Sequence, residues 1–386
     1  MEDTKTLDIQ SKMEKRLKER KSQGNFRELT SHKLPYDFVS NDYLGLARNE
    51  ELFERIQKTV EKLNIRTVGS GGSRLLSGNH QLTERLEERL ARLFQSEASL
   101  LFNSGYNANL GLLSSVAQRG DTIIYDELSH VCLKEGAWLS KAESFKFRHN
   151  DIDDLENKLK GGKGNLFVVT ESIFSMDGDQ SPIEEIVSLT KKYGANLIVD
   201  EAHTTGCFGE NGNGWLCEKG LANEVFARVY TFGKAVGAHG ACVAGSNILI
   251  DYLINFSRPF IYTTALPIHS VVTIDEAFNY IAKHSDLKLR LNDKINYFLQ
   301  LINQSGISLS PGSLSKTAIQ PIVIPGNQRI KEVTSSLVNK GFDLRPILAP
   351  TVPEGTERIR LSLHVHNTKE EIESLVLLLK NAMGNE

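Results

Sequence analysis

The chain has 386 residues, and its 45 Lys and Arg side chains against 48 Asp and Glu side chains give a formal net charge of −3 at pH 7. This near-neutral balance carries no electrostatic footprint for nucleic acid or for an anionic membrane surface, so we expect neither as a partner. With 40% hydrophobic and 24% charged residues, the composition is typical of a soluble globular protein, and the length predicts two or three domains.

The distribution of apolar residues also disfavours a membrane-spanning protein and a secreted protein. No apolar run reaches the roughly 18 to 20 residues that span a bilayer. Residues 1–24 are polar and charged, without the apolar segment of a secretory signal, so we expect a cytoplasmic protein. The cysteines show no CxxC spacing, which predicts neither a disulfide framework nor a zinc site, and no other metal site is expected. They are Cys132, Cys207, Cys217 and Cys242.

The predicted elements begin with a charged, amphipathic helix from residue 1 to about residue 24. A short extended stretch follows at residues 37–40, and a glycine-rich loop spans residues 69–74. After this loop, leucines recur at the spacing of one helical face, which predicts a helix with one buried side. These leucines are Leu82, Leu86, Leu90 and Leu93.

Between residues 98 and 246, short apolar runs alternate with helical stretches such as residues 182–193. This alternation is typical of βαβ units, so we predict an α/β fold with a mostly parallel central sheet. Polar and glycine residues follow the strands, and ligands of such sheets bind beyond the carboxyl ends of the strands. The predicted strands are Ala98–Phe102, Thr122–Tyr125, Leu166–Thr170, Asn196–Val199, Arg228–Phe232 and Ala241–Ala244.

The pattern changes past about residue 275. One long helix is predicted over residues 275–304, followed by strands over 318–324 and 358–365. The second of these strands alternates apolar and polar residues, and a final helix is predicted to start at residues 367–371 with capping residues. We therefore expect a second, smaller α+β domain at the C-terminus.

The tetrad at residues 200–203, Asp-Glu-Ala-His, spells the Walker B box of a helicase. That function also needs a phosphate-binding loop ending in Lys followed by Ser or Thr. The loop at residues 69–74 lacks the lysine, and residues 161–164 lack the hydroxyl residue and the glycine spacing. The dinucleotide fingerprint fails as well, because Arg74 occupies the position of its last glycine.

The same residues suit pyridoxal 5'-phosphate (PLP) chemistry. Asp200 ends a predicted strand, His203 follows it, and Lys234 ends another strand between glycines. A lysine amine can form a Schiff base with the PLP aldehyde, and a carboxylate can pair with the protonated ring nitrogen. Phosphate could be held by residues 104–106 and by Thr231. From spacing alone, an ordinary capping aspartate and a solvated lysine remain open alternatives.

Ten motifs in chain order resemble the α-oxoamine synthase family of type I PLP enzymes. The resemblance runs from about residue 15 to the C-terminus. It implies the type I PLP-dependent transferase fold, with an N-terminal arm (1–50), a large PLP-binding domain (51–275) and a small C-terminal domain (276–386). The motifs are SNDYLGL (40–46), GSGGSRLLSG (69–78), FNSGYNANLG (102–111), DELSHVCL (126–133), RHND (148–151), VVTESIFSMDGD (168–179), VDEAHTTGCFGENGNG (199–214), TFGKAVGAHGACVAGS (231–246), RPFIYTTALP (258–267) and APTVPEGTERIRLSL (349–363).

The resemblance implies roles for individual residues. Lys234 resembles the Schiff-base lysine, Asp200 the partner of the ring nitrogen, and His203 the donor near the phenolic oxygen of PLP. His130 resembles the histidine that stacks on the cofactor, and these four residues are the implied catalytic groups. The other implied cofactor contacts are Gly105, Tyr106, Ser175, Thr231, Thr263 and Thr264.

Partners follow from the same resemblance. Thr263 and Thr264 resemble residues that reach the phosphate of a neighbouring subunit, which implies a homodimer with shared active sites. Arg360 resembles the arginine that binds the carboxylate of the amino-acid substrate, a task that suits its planar guanidinium. The other implied substrate contacts are Arg27, His130 and Thr351.

Three strings favour one branch of the family, which condenses L-alanine with a pimeloyl thioester in biotin biosynthesis. They are IYTTALP (261–267), Thr-Thr-Gly (204–206) and Pro-Thr-Val-Pro (350–353). The acyl donor is expected to be an acyl-CoA or an acyl-carrier thioester. The alternatives are a sister synthase that uses glycine or serine with another acyl-CoA, a PLP aminotransferase, and a catalytically silent scaffold. Glu201 and residues 235–236 depart from the common family pattern without removing a catalytic group.

Overall fold

The computed structural model describes residues 8–29, 34–349 and 351–384. The helices in these ranges are α1 Ile9–Ser22, α2 Glu50–Lys62, α3 Gln81–Leu93, α4 Gly105–Val116, α5 Val131–Ser140, α6 Ile152–Gly161, α7 Ile183–Tyr193, α8 Trp215–Glu218, α9 Asn247–Phe256, α10 Arg258–Ile261, α11 Ile268–Lys283, α12 Asp286–Ser305, α13 Asn327–Val338 and α14 Lys369–Met383. The strands are β1 Tyr36–Asp37, β2 Ala98–Phe102, β3 Thr122–Asp126, β4 Glu143–Phe147, β5 Leu166–Glu171, β6 Asn196–Asp200, β7 Ala227–Thr231, β8 Ala241–Gly245, β9 Ile319–Val323, β10 Phe342–Asp343, β11 Pro346–Ile347 and β12 Arg358–Ser362.

A seven-stranded sheet forms the centre of the molecule, in the order β2-β8-β7-β6-β5-β3-β4. Only β8 runs antiparallel to its neighbours, so the predicted mostly parallel α/β sheet is confirmed. Each of the six predicted strands lies within one residue of an observed strand at both ends. The carboxyl ends of β2, β3, β5, β6 and β7 therefore meet at one edge, together with the start of β8.

Helices cover both faces of this sheet, which explains why its inner strands read as continuous apolar runs. On one face, Leu112 of α4 and Leu133 of α5 pack against the sheet, and both are fully buried. On the other face, Leu155 of α6 and Ile186 of α7 do the same. The edge strand β4 was not predicted, because four of its five residues are exposed and carry no apolar stripe.

A second sheet is antiparallel, in the order β11-β12-β9. The predicted alternation in β12 is confirmed on one face, where Ile359 and Leu361 are fully buried in the core. Its other face carries Arg358 and Arg360, which are also buried. The C-terminal helix α14 starts as predicted, at a capping box in which the side chains and backbones of Thr368 and Glu371 are hydrogen-bonded to each other.

The prediction of one long helix over residues 275–304 is wrong. The segment holds two helices, α11 and α12, that break at His284, where the backbone leaves the helical region with φ −119° and ψ 62°. The break contains neither Gly nor Pro. The sequence indicates it only through Ser285 and Asp286, two residue types that are common where a helix begins. In the described part of the first predicted helix, α1 is confirmed and none of its residues is buried.

The segment before α2 contributes β1 to a third, two-stranded sheet and then runs beside β12. Strand β1 pairs in parallel with β10, and the backbone oxygens of Phe38 and Tyr43 accept hydrogen bonds from the amides of Ser362 and Val365, each at 2.9 Å. Residues 38–43 therefore lie beside β12, close to Arg360. The division into domains at residues 50 and 275 stays a prediction. Among the helices that the structure describes, none is long and apolar enough to cross a membrane.

Candidate active site

A cavity of about 510 Å³ lies at the carboxyl edge of the large sheet. The loops that follow β2, β3, β5, β6 and β7 contribute to its lining, and β12 of the small sheet closes one side. Of the residues predicted for the site, nine line this cavity, so the topology brings them together as expected from the strand ends. They are Gly105, Tyr106, His130, Ser175, Asp200, His203, Thr231, Lys234 and Arg360.

Lys234 follows β7 and is half-buried in this cavity. Its Nζ lies 2.9 Å from Nε2 of His203. Burial lowers the pKa of Lys234, and Arg360 adds to this effect, whereas the charges of Asp200 and Glu171 oppose it. A lowered pKa increases the fraction of neutral amine near neutral pH, and only the neutral amine is a nucleophile or a base.

His203 connects Lys234 to Tyr43. The hydroxyl of Tyr43 lies 2.8 Å from Nδ1 of His203. Burial holds the pKa of His203 well below its usual range, and the charge of Lys234 acts in the same direction. Burial also raises the pKa of Tyr43 to about 12. Both rings are therefore neutral near pH 7, and they form a short hydrogen-bonded chain that leads to the Lys234 amine.

Asp200 is the last residue of β6 and is 5% exposed. Its Oδ2 accepts a hydrogen bond from Nδ2 of Asn109 at 2.6 Å, and its Oδ1 accepts one from the Ala202 amide at 2.8 Å. The neighbouring Asn109 also points its Nδ2 at the Cys132 sulfur, 3.4 Å away. The carboxylate is thus held in one orientation at the floor of the cavity.

His130 caps the N-terminus of α5. Its Nδ1 lies 2.9 Å from the Cys132 sulfur and accepts the Cys132 amide at 3.3 Å, which leaves Nε2 to carry the proton of the neutral ring. Burial lowers the pKa of His130, so the neutral ring dominates near pH 7. The backbone amide of His130 donates to Oε1 of Glu171 at 2.6 Å.

Glu171 ends β5 and is fully buried against this amide. Burial raises the pKa of Glu171 to about 8, and the nearby Asp200 charge adds to the rise. Burial of Glu171 thus disfavours a second negative charge next to Asp200 on the floor of the cavity.

Arg360 is 9% exposed and reaches the cavity from β12. Its Nε donates to the carbonyl of Ser175 at 2.5 Å, its Nη1 to the Ser362 hydroxyl at 3.1 Å, and its Nη2 to Oδ1 of Asn41 at 2.9 Å. Each of these acceptors is a neutral oxygen, although a buried guanidinium is most stable beside an anion. The arrangement is therefore suited to binding the carboxylate of a small substrate.

The start of α4 provides a cradle for a phosphate. The Ser104 hydroxyl caps the helix by accepting the Asn107 amide at 3.2 Å, and Ser104, Gly105 and Tyr106 line the cavity, so the start of the helix lies where a phosphate can bind. A Cβ atom on Gly105 would lie 2.4 Å from Cγ2 of Thr231, so only glycine allows this close approach. With Lys234, the strand-end carboxylate of Asp200 and His130, these residues fit PLP.

Four predicted residues do not line the cavity of this chain. Arg27 and Thr351 are exposed at the surface. Thr263 and Thr264 lie beside Asn103, whose Nδ2 donates to the Thr264 carbonyl at 2.8 Å. Because Thr263 and Thr264 were predicted to serve a neighbouring subunit, their roles stay predictions, as do those of Arg27 and Thr351.

Residues that the sequence reasoning did not assign also shape the site. Asn41 and Tyr43 contact Arg360 and His203, Asn109 binds Asp200, and Glu171 binds the His130 backbone. All of them lie inside the ten family motifs, which was the signal that could have identified them. Their partners are distant in the chain, so spacing alone gave them no role.

One cluster in the described residues has the ligand types of a metal site. Single ligand atoms of Asp37, His364 and His366 lie within 4.8 Å of one another. The Asp37 carboxylate already pairs with Arg48, and the ring nitrogens of His364 lie within 3.2 Å of oxygens of Ser40 and Asn367. The cluster is therefore held together by its own hydrogen bonds, and the expectation of no metal site stays a prediction.

Comparison with protein families gives a match to the family described as aminotransferase class I and II, over residues 36–377. A putative 8-amino-7-oxononanoate synthase of Geobacillus kaustophilus is 39% identical over 371 residues, covering 95% of this chain and 93% of the relative. The 8-amino-7-oxononanoate synthase of Alkaliphilus oremlandii is 34% identical over 383 residues, covering 95% of both chains.

Two solved structures are also similar. The serine palmitoyltransferase of Sphingomonas wittichii superposes with a TM-score of 0.89 at 28% identity, covering 97% of this chain and 98% of that chain. The 8-amino-7-oxononanoate synthase of Francisella tularensis superposes with a TM-score of 0.76 at 26% identity, covering 90% of this chain and 97% of that chain. The predicted type I PLP-dependent transferase fold is confirmed by these similarities.

Proposed function

The chain belongs to the aminotransferase class I and II family and, within it, to the α-oxoamine synthases, and on this premise we propose that it condenses L-alanine with a pimeloyl thioester, carried on coenzyme A or on a carrier protein. It is a PLP-dependent acyltransferase, so the predicted enzyme class and cofactor are confirmed. The proposed products are 8-amino-7-oxononanoate, CO2 and the free thiol. A cytoplasmic location stays a prediction.

The amino-acid half of the proposal is supported by one observation above all, the surroundings of Arg360. This buried cation has neutral hydrogen-bond acceptors and faces the same cavity as Lys234. An α-carboxylate bound there would bring its Cα toward the lysine. The acyl half of the proposal is supported by the names of the curated relatives, which are 34% to 39% identical to this chain.

The residues that would hold PLP are those that surround the cavity floor. Lys234 would carry the cofactor through its amine, Asp200 would face its ring nitrogen, His130 would stack on its ring, and Gly105 and Thr231 would lie by its phosphate. When bound, PLP supplies an electron sink that stabilises negative charge on the Cα of the amino acid.

The side chains of this protein then control the proton transfers. When the amino group of alanine takes the place of Lys234 on the cofactor, the freed Lys234 amine would remove the Cα proton while Arg360 holds the carboxylate. His203 and Tyr43 form the hydrogen-bonded chain behind this amine and orient it. The Nε2 proton of His130 is available to stabilise charge that develops on the thioester oxygen. An aminotransferase would need no acyl thioester, which distinguishes the two activities experimentally.

A sister synthase is the second candidate, because serine palmitoyltransferases are similar to this chain over 97% of its length with TM-scores of 0.88 to 0.89. Such an enzyme would combine serine with a long-chain acyl-CoA, and another sister would combine glycine with a short-chain one. The cavity residues described above serve all three reactions, since each begins with an α-amino acid. The acyl donor therefore distinguishes them.

We also propose that two copies of the chain form a homodimer with shared active sites. The support is the position of Thr263 and Thr264, which lie outside the cavity of their own chain. Thr263 lines a separate small pocket next to Asn103 and Phe260. A neighbouring subunit would use these hydroxyls at its own phosphate site.

The experiment is a substrate panel with purified, PLP-loaded protein. L-alanine, glycine and L-serine are each combined with pimeloyl-CoA, acetyl-CoA and palmitoyl-CoA, and the release of free thiol is measured. We expect the alanine and pimeloyl pair to be turned over at least about tenfold more efficiently than any other pair, a difference of about 1.4 kcal/mol in transition-state binding. A stronger signal from serine with palmitoyl-CoA would replace this function by that of the sister enzyme.

A further inference from the structure

The motif Arg-His-Asn-Asp at residues 148–151 has no role in the function proposed above. It follows the edge strand β4, and its histidine lies between two carboxylates. Nδ1 of His149 is 2.9 Å from Oδ1 of Asp126, and Nε2 is 2.7 Å from Oδ2 of Asp179. The ring also packs edge-on against Phe174, with centroids 4.5 Å apart.

We propose that His149 is a positioning residue for the amino-acid substrate: it is a cationic clamp that holds the loop leading to His130 against the loop that orients Arg360. This inference rests on the proposed function, because it assigns both loops to substrate binding. His149 itself does not line the cavity, so it acts through these two loops.

The charge of the clamp follows from its hydrogen bonds. A carboxylate oxygen accepts hydrogen bonds and donates none, so each ring nitrogen of His149 must carry a proton to bond its partner. A neutral imidazole has only one such proton, and therefore the doubly bonded ring is an imidazolium. Charge-assisted bonds of this kind are about twice as strong as neutral ones.

On one side, the clamp fixes the loop that leads to His130. Asp126 is fully buried at the end of β3, and its Oδ1 also accepts the Leu128 amide at 2.8 Å. Its backbone oxygen accepts the Ser129 amide at 3.0 Å. The turn from Asp126 to His130 is therefore organised around the carboxylate that His149 binds.

On the other side, the clamp fixes the loop of residues 174–179. This loop is closed by backbone hydrogen bonds between Phe174 and Asp179 and between Phe174 and Gly178. Its Ser175 carbonyl accepts the Nε donor of Arg360 at 2.5 Å, and its Asp177 pairs with Arg358. Movement of Asp179 would therefore shift the acceptor that orients the guanidinium of Arg360.

The surroundings of the ring keep the proton in place. Burial lowers the pKa of His149, but the hydrogen bonds and charges of Asp126 and Asp179 outweigh it and raise the pKa to about 10. Glu127 accepts the His149 backbone amide at 3.2 Å, and Lys134 faces the same turn through the Glu127 carbonyl. The negative groups near the ring (Asp126, Asp179 and Glu127) thus outnumber the nearby cation, Lys134.

The raised pKa of His149 determines how folding stability depends on pH. The folded protein binds the proton more tightly than the unfolded chain, whose histidine has the ordinary value of 6.5. The clamp therefore contributes stability that is complete below about pH 6.5 and is lost as the pH rises through about 10.

The test compares wild-type holoenzyme with His149→Gln, whose amide cannot donate to both carboxylates. We expect the KM for L-alanine to rise about tenfold, because one charge-assisted bond to the 174–179 loop is lost. The affinity for PLP should change less than about twofold, since Lys234 and Asp200 keep their partners. His284→Gln is the matched control, because its ring hydrogen-bonds the Tyr280 carbonyl and stacks on the Tyr280 ring, outside the site.

A second readout does not depend on the acyl substrate. The difference in melting temperature between wild type and His149→Gln should be largest at about pH 6 and should narrow as the pH rises toward 10. If both the alanine KM and this pH-dependent difference match those of the control variant, His149 is not a clamp. If His149→Gln does not fold, Asp179→Asn removes one carboxylate partner and should raise the alanine KM in the same direction.

The two proposals fail in different ways. If the wild-type protein turns over no pimeloyl thioester, alanine binding can still be followed through the absorbance of bound PLP. A shift of that binding curve in His149→Gln would then support the clamp while the proposed acyl substrate is rejected. An unshifted curve would reject the clamp whatever the acyl donor proves to be.

Discussion

At the residue scale, a buried amine and a fixed carboxylate line the same cavity. Lys234 loses part of its proton affinity to burial, while Asp200 is held by Asn109 and by a backbone amide. His203 and Tyr43 lie behind the amine as neutral hydrogen-bond partners. Because burial lowers the pKa of Lys234, the site can provide a base near neutral pH while Arg360 binds an anionic substrate.

Replacement of Lys234 by Ala removes both the cofactor attachment and the proposed base. We expect turnover to fall by about 10³-fold or more, and the visible absorbance of lysine-linked PLP to disappear. Absorbance spectra and steady-state rates measure both effects. Lys340→Ala, on an exposed residue after α13, should behave like wild type. Wild-type turnover in the Lys234 variant would rule out this residue as the catalytic lysine.

The residue-level predictions from sequence were strongest where a residue ends a strand. The strand ends place Lys234, Asp200 and His203 at one edge of the sheet, whereas their roles were implied only by the family resemblance. Tyr43 could not be placed in this way, since its partner His203 is 160 residues away. Contacts of this kind depend on how the segment before α2 packs, and no local pattern encodes that packing.

At the element scale, the first turn of α4 is the part of the site with the least space. Gly105 lies against Thr231 of β7, and both line the cavity. A methyl group there would collide with the Thr231 side chain and push the helix away from the sheet. The start of the helix would then no longer lie at the proposed phosphate position.

We therefore expect Gly105→Ala to weaken PLP binding by at least about tenfold, or about 1.4 kcal/mol. Equilibrium titration of the cofactor measures this change. Gly161→Ala is a suitable control, because nothing lies within 4 Å of a Cβ at that position. Equal affinities in wild type and Gly105→Ala would show that this turn does not hold the phosphate.

Strands that are buried on both faces were predicted well. An exposed edge strand and a helix break without Gly or Pro were missed. The strands β5, β6 and β7 were found within one residue, because their residues are almost all buried and mostly apolar. The edge strand β4 was missed because only its last residue is buried. The break between α11 and α12 was missed because it lacks Gly and Pro and depends on a single residue, His284.

At the scale of the whole molecule, the site combines the two sheets. The large sheet supplies the lysine and the carboxylate, whereas β12 supplies Arg360. The segment around Tyr43 contacts both, through His203 and through the backbone of Val365. The sequence predicted both parts of the fold, but the contact between them was supplied only by the family resemblance, since it depends on long-range packing.

The proposed homodimer predicts complementation between two inactive variants. Lys234→Ala is mixed with a Thr263→Val and Thr264→Val double variant under conditions that exchange subunits. We expect recovery of about a quarter of wild-type activity, because half of the randomly formed dimers are mixed and each mixed dimer holds one intact site. A mixture as inactive as its components, despite subunit exchange, would contradict shared active sites.

The proposed reaction is tested most directly by identifying the product that the enzyme makes from competing substrates. The PLP-loaded protein is given equal concentrations of L-alanine, glycine and L-serine together with pimeloyl-CoA and palmitoyl-CoA, and the products are identified by mass spectrometry. We expect 8-amino-7-oxononanoate as the dominant product, with CO2 and free coenzyme A released in equal amounts. A dominant product built from serine and the palmitoyl chain, or a keto acid formed without acyl transfer, would contradict the proposed reaction.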